Sequence, residues 1–196
     1  MNYKLANPAI FRTIQGEGIL SGVPMVFIRL ANCSIACKGC DTNYAPSITM
    51  NELDISKEAS RLMVSGRWVW LTGGEPFDYD LEPLLSNLKL IGKVAVITSG
   101  QIANRFSSHL IDSLFVSPHG KPDKLKLVRG LQVNLVPSLG GTNLEDWVGY
   151  DFSGFQYKYV TPFDKDKLSI KQCIEWVNRY PDWRLGIQAH KVWNID

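Results

Sequence analysis

Three cysteines within eight residues constrain this chain more than any other stretch: Cys33, Cys37 and Cys40, in the pattern C-x3-C-x2-C. Thiolates that close can face a single metal centre, and the small residues between them let the backbone wrap it. Structural zinc takes four protein ligands, usually as two separated pairs. The fourth cysteine, Cys173, lies far downstream in a helical pattern, supplies no second pair and reads as a small buried hydrophobe. Three thiolates suit a cubane iron–sulfur cluster, which usually takes four, leaving one iron open to a small molecule. Chance clustering, or zinc held with a histidine, stays open on spacing alone. His109 sits in a helical stretch and His119 in a loop, so neither completes a zinc site.

Composition narrows the classes. The 196 residues suit one domain with a real core. A net charge of +2 gives no reason to expect nucleic acid or an anionic membrane as a direct partner. No apolar run approaches a membrane span, and the start is not that of a signal peptide, so no membrane association is expected. Four cysteines, three of them crowded, do not make a secreted disulfide framework, which points to a reducing cytoplasm. The six tryptophans are scattered as core or rim, and the Lys121–Lys126 cluster reads as a solvated loop.

Along the chain, Ala9 to Leu30 reads as two extended segments around Gln15-Gly16-Glu17-Gly18, the second a nearly continuous apolar run from Val23. A helix is expected from about Asn51 to Ser65, then a strand from Trp68 to Thr72 and a helix from Leu81 to Ile91. Further strands are expected at Val94–Thr98, Leu114–Val116, Gln132–Val136, Phe155–Val160 and Arg184–Ala189. Helices are expected at Ile102–Ser113, about Asn143–Val148 and Ile170–Asn178. Strands separated by helices indicate right-handed βα units on a parallel sheet. A full eight-unit barrel typically needs about 250 residues. The fold class is therefore α/β, an incomplete, open parallel βα barrel of about six short units, with a doubly wound sheet as the competitor. Every unusual motif follows a strand, so the motifs should gather at the carboxyl-end face.

Those motifs carry a resemblance. The cysteine spacing resembles the cluster motif of the radical S-adenosylmethionine (SAM) superfamily, and Gly73-Gly74-Glu75-Pro76 resembles its GGE motif at the end of the second barrel strand. Phe11-Arg-Thr-Ile-Gln-Gly-Glu-Gly18, then Gly22-Val-Pro24, Phe27-Ile-Arg29-Leu30, the cysteines and Asp41-Thr42, resembles one family within it, the 7-carboxy-7-deazaguanine synthases (QueE). The closing Gln188-Ala-His190-Lys191 is similar too. Two stretches depart from the family pattern: E-T-x-G reads Ile97-Thr98-Ser99-Gly100, and S-P-K reads Ser117-Pro118-His119. Thr161-Pro162-Phe163-Asp164 matches the family's Q-P-x-D only in part.

The resemblance implies a radical SAM domain over 1–196 with a substrate-binding N-terminal extension of about 1–22. It implies conversion of 6-carboxy-5,6,7,8-tetrahydropterin to 7-carboxy-7-deazaguanine with loss of ammonia. Cys33, Cys37 and Cys40 would hold a 4Fe–4S cluster, and the hydroxyl of Thr42 a magnesium ion, Mg2+, a hard cation that prefers oxygen. Gly39, Asp41, Gly74, Glu75, Ser99, Ser117, Pro118 and His119 would line SAM. Glu75 in particular would accept a hydrogen bond from its ammonium group. Ile14, Gln15, Gly16, Arg29, Thr72, His190 and the terminal Asp196 would line the pterin, with Arg29 gripping its carboxylate. An electron donor such as flavodoxin or ferredoxin and a homodimer are implied as partners. Two other readings fit parts of the pattern: a small glycyl-radical activating enzyme, and a non-catalytic iron–sulfur or zinc module.

Overall fold

The computed structural model describes residues 1–63, 68–103, 108–164 and 166–195. Strands β1 (Asn2–Ile14) and β2 (Pro24–Leu30) form an antiparallel hairpin, and β3 (Pro46–Asn51) pairs with the outer edge of β1. From β2 the sheet continues in parallel through β4 (Trp68–Gly73), β5 (Lys93–Thr98), β6 (Ser113–Val116), β7 (Gly130–Leu135), β8 (Phe155–Val160) and β9 (Arg184–Leu185). Among the parallel strands the order β2-β4-β5-β6-β7-β8-β9 never reverses. A doubly wound sheet reverses at its switch point, so that competitor falls. A sheet that always steps the same way is that of an unclosed parallel barrel.

Helices cover the outer face of the first half. Helix α1 (Glu52–Leu62) begins at Asn51, whose side chain accepts the Asp54 N–H at 2.9 Å, and it turns Ile55 and Ala59 onto the sheet. Helix α2 (Glu82–Lys89) buries Leu84, Leu85 and Leu88 in the same core. In β5, Val94, Ala95 and Val96 are all buried in succession, as a strand covered on both faces requires. Over the second half, α3 (Lys167–Arg179) is capped by the Asp166 carboxylate and buries Cys173 and Trp176. Loop aromatics do the rest: Trp147 and Phe152 pack with Trp183 and Val160 where a helix would otherwise lie. Large rings cover a strand with fewer residues than a helix needs, which is how a short chain reaches a sixth and seventh parallel strand.

Several expected elements differ. Among the described residues, Ile102–Ser113 holds no α-helix, only a 3-10 turn at Ser108–Leu110 and the first residue of β6, and 104–107 lie outside the described residues. Asn143–Val148 is likewise a 3-10 turn, Leu144–Trp147. The last strand stops at Leu185, and Ala189 instead opens the short helix α4 (Ala189–Trp193), which places His190 on a helix. Of the helix expected to Ser65, residues 64 and 65 lie outside the described residues. The sequence pattern also missed β3, whose first four residues are exposed. An edge strand with a solvated face has no apolar alternation to read. Among the described residues no helix is long and apolar enough to cross a membrane.

The concave face is what positions the site. Met25, Trp70, Ala95 and Phe115 form its buried floor, with the Trp70 and Phe115 ring centroids 4.6 Å apart. Side chains two residues farther along a strand share its face. So Phe27 is followed inward by Arg29, Trp70 by Thr72, Ile97 by Ser99, Phe115 by Ser117 and Gln132 by Asn134. An apolar floor thus rises into a polar rim at the carboxyl ends of the strands.

Candidate active site

The cysteine loop leaves the end of β2 and lies across this rim. Asn32 and Ala36 take positive φ angles of 59° and 46°, and Gly39 one of 85°, so the backbone turns tightly between the thiols. The loop is tied on three sides. The Asn32 N–H donates to the Tyr44 carbonyl at 2.8 Å, and Ser34 donates to the Asp78 carboxylate through its N–H (2.7 Å) and hydroxyl (2.6 Å). On the third side, Gly140 N–H donates to the Lys38 carbonyl at 3.3 Å. Cys33, Cys37, Gly39, Cys40 and Thr42 line one open cleft of about 600 Å3.

The donor set fits an iron–sulfur cluster. Burial, followed by the neighbouring Cys33 and Cys40 sulfurs, pushes the Cys37 thiol up to about 11, and burial also raises Cys40. Left to themselves Cys37 and Cys40 stay protonated at neutral pH; a bound cationic group would supply the charge that holds them as thiolates. Among the described residues no group of three or more His, Cys, Asp and Glu is placed to hold a single metal ion.

Glu75 is the buried anchor of the rim, 3% exposed. Its Oε1 accepts the Thr98 hydroxyl at 2.6 Å and the Phe77 N–H at 3.1 Å; its Oε2 accepts the Ser99 N–H at 2.9 Å and hydroxyl at 2.6 Å. Four donors, from Phe77 and from Thr98 and Ser99, thus share the two carboxylate oxygens. The glycine before it has no room for a side chain. A Cβ on Gly74 would overlap the Asn32 carbonyl oxygen and lie 2.6 Å from its carbon, so the strand end presses against the start of the cysteine loop.

Around the rim, Ser117 donates its N–H to the Thr98 carbonyl at 2.8 Å, and the buried Pro118 leads to His119. A Cβ on Gly140 would lie 3.0 Å from His119 Cβ and 3.2 Å from Cys37 Sγ, so His119 stands just behind the cysteine loop. Its Nδ1 is buried without a hydrogen-bond partner among the described residues, and burial pushes the imidazole from 6.5 down to about 4. An unfolded ring takes up a proton below about pH 6.5, whereas the folded one stays neutral to about pH 4. The unfolded chain binds more protons in that window, so stability should fall as pH drops through it, by up to about 3 kcal/mol. Thermal melts of the wild type and His119→Gln at pH 7 and pH 5 check this. The wild type should lose more, and equal losses would mean the ring does not stay neutral.

The opposite side of the rim is built from both ends of the chain. Gln15 and Gly16 are buried; Gln15 Oε1 accepts the Glu17 N–H at 3.0 Å, which shapes the turn. A Cβ on Gly16 would come within 2.6 Å of the His190 backbone nitrogen, and the Gly16 carbonyl accepts the Ala189 N–H at 2.8 Å. Gln188 donates to Glu17 at 3.0 Å, and burial raises the Glu17 carboxyl above its ordinary range. Lys191 reaches Asp41 at 3.6 Å and Asp164 at 3.4 Å, linking the cysteine loop to the loop after β8. Arg29 faces Thr72 across the β2–β4 register, its guanidinium 4.7 Å from the centroid of Phe11. Ile14 is 39% exposed at the end of β1, and Asp196 lies outside the described residues.

The structure therefore brings the cysteines, Gly74, Glu75, Ser99, Ser117 and His119 to one end of the sheet, with Gln15, Gly16, Arg29, Thr72 and His190 beside them. Sequence reasoning passed over Gln132 and Asn134, and took Gln188 only as part of the closing motif. Gln132 and Asn134 are 4% and 5% exposed; Gln132 accepts the Ile19 N–H, and Asn134 the Thr161 hydroxyl at 2.7 Å. Their signal was present: two polar residues at alternate positions of the apolar run Leu131–Leu135 mark a strand whose inner face meets something polar.

No protein-family model matches the sequence. Among curated proteins, the 7-carboxy-7-deazaguanine synthase of Neisseria meningitidis is 41% identical, over 95% of this chain and 92% of its own. That of Burkholderia multivorans is 32% identical, over 95% of this chain and 96% of its own. The crystal structure of QueE from Escherichia coli superposes with a TM-score of 0.76, covering 97% of this chain and 95% of that one; at 24% identity this is a likeness of fold. End-to-end identity at this level, on an open barrel whose motifs meet at one rim, leads to a plain conclusion: the chain belongs to the 7-carboxy-7-deazaguanine synthase family.

Proposed function

We propose that the protein converts 6-carboxy-5,6,7,8-tetrahydropterin to 7-carboxy-7-deazaguanine, releasing ammonia, with a 4Fe–4S cluster, SAM and Mg2+ bound at the rim. The observation that carries this reading is the meeting, at one end of the sheet, of the three-thiol cleft and the turn Gln15–Gly18 sealed by the C-terminal segment. When bound, the cluster and SAM supply a reducing electron and a means of abstracting a hydrogen atom. The protein's own residues hold, orient and exclude water.

In this reading Cys33, Cys37 and Cys40 carry the cluster. Gly39, Asp41, Gly74, Ser99, Ser117, Pro118 and His119 line SAM. Glu75, whose carboxylate also fixes the Thr98–Ser99 turn, faces SAM with them. Thr42, in the same cleft as the thiols, offers its hydroxyl to the magnesium ion. Ile14, Gln15, Gly16, Thr72 and His190 enclose the pterin, and Arg29 pairs with its carboxylate. The unit is one radical SAM domain over 1–196 whose first 22 residues or so form the substrate extension. A cytoplasmic setting, an electron donor such as flavodoxin or ferredoxin, and pairing into a homodimer belong to the same proposal.

Two experiments test it. Protein reconstituted anaerobically with iron and sulfide, then given SAM, magnesium, a reductant and the pterin, should yield 7-carboxy-7-deazaguanine in excess over the SAM consumed. Accumulation of 5′-deoxyadenosine without that product would sink the pterin assignment and favour another substrate. Arg29→Ala should raise the pterin KM by about 10- to 100-fold, the worth of a charge-assisted pair, while SAM affinity changes little. Equal losses for both ligands would remove Arg29 from the carboxylate.

A further inference from the structure

An open barrel leaves one problem for any ligand held between its two sides, because the sheet itself does not fix the gap. Here the turn Gln15–Gly18 belongs to the β1–β2 side, and it reaches across the concave face to β7. The side-chain oxygen of Gln132 accepts the Ile19 N–H at 2.8 Å. Gly18, at φ 64°, lies flat on the same amide: a Cβ there would overlap it and sit 2.7 Å from Gln132 Cδ. Between β2 and β7 stand β4, β5 and β6, so this bond spans the mouth rather than joining neighbours. It is also shielded, since Gln132 is 4% exposed, and Ile19 and Leu20 pack on the floor with Trp70 and Phe115. A buried amide without a partner costs about 1–3 kcal/mol, so Gln132 and the turn hold each other at one separation.

We propose that Gln132 is a positioning residue: a strut that sets the height of the Gln15–Gly18 turn above the aromatic floor, and so the width of the slot that admits a flat bicyclic substrate. The inference rests on the function proposed above. Gln188 and Ala189 seal the outer side of the turn, and Gln132 sets its inner side.

The test compares Gln132→Leu, which keeps the bulk and removes the acceptor, with Gln132→Glu, which keeps an acceptor for the Ile19 N–H. For Gln132→Leu the pterin KM should rise at least tenfold, with SAM affinity and bound iron within twofold of wild type. More 5′-deoxyadenosine should form per product. Gln132→Glu should recover most of the KM. Amide hydrogen exchange over 15–20 should speed up in Gln132→Leu and return toward wild type in Gln132→Glu, without change in the cysteine loop. A pterin KM within twofold of wild type in Gln132→Leu, or equal losses for pterin and SAM, would overturn the strut. If the wild type itself makes no product from the pterin, the functional proposal fails; exchange at 15–20 then decides the strut alone, and unchanged exchange ends it.

Discussion

Cys37→Ala should abolish SAM cleavage and strip iron from the reconstituted protein, while Cys173→Ala leaves both intact. Cys37 lies between the other two thiols in sequence, and its sulfur packs near Gly140, so its loss opens the middle of the donor set. Removing an outer partner of a metal ligand typically costs about 10- to 100-fold, and removing a ligand itself should cost more, taking cleavage below detection. Cys173 is fully buried in α3, where burial pushes its thiol up to about 12. It is a packing group, and alanine there should cost stability rather than iron. Iron and sulfide analysis of the two variants checks both claims. Retained SAM cleavage in Cys37→Ala would refute the cluster assignment.

Gly74→Ala should cost stability heavily for a single added methyl group, since its Cβ would make the tightest contact of the described glycines compared. The new Cβ would overlap the Asn32 carbonyl, so either β4 must withdraw from β2 or the peptide before Cys33 must rotate. Backbone cannot give way as a side-chain tip does. The cost should lie at or above the upper end of the roughly 1–3 kcal/mol seen for overpacking, lowering the melting temperature by roughly 5–10 °C. Cluster loading should fall as well, because the displaced peptide leads directly into Cys33. Gly141→Ala is the control. At φ 81° with nothing within 4 Å, it pays only the left-handed strain of about 1–2 kcal/mol and should load iron normally. Equal melting temperatures for the two variants would show that the contact at Asn32 relaxes freely.

What the sequence made legible was the part written in short, chemically special runs. The cysteine spacing, Gly73–Pro76 and Phe11–Gly18 could be read directly, because each needs particular residues in a row to turn the chain or bring donors together. The buried parallel strands were also legible, since burial on both faces leaves runs such as Val94–Val96. The exposed strand β3, and the turns that replaced expected helices on the second half, were not. A 3-10 turn bearing Leu144 and Trp147 presents the same apolar pair as the first turn of a helix, and only the length available decides between them. Glu75 was legible as a motif residue, but the groups that surround it were not. Its four donors come from Phe77, Thr98 and Ser99, and the last two lie on another strand end that sequence separation hides. At His119 the departure from the family's lysine was visible. That the replacement is a half-buried ring with its Nδ1 enclosed and burial holding it neutral, so that a cation is exchanged for an uncharged group, needed the structure.

The bond from Gln188 to Glu17 joins residues 171 positions apart. Each parallel strand pairs with one already made just before it, so the sheet can grow in step with synthesis on the ribosome. The pocket cannot. A nascent chain halted before Gln188 would own every described strand yet leave the turn at Gly16 uncovered. That side of the rim is therefore completed only once Gln188 and Ala189 have docked on the turn at Gln15–Gly18.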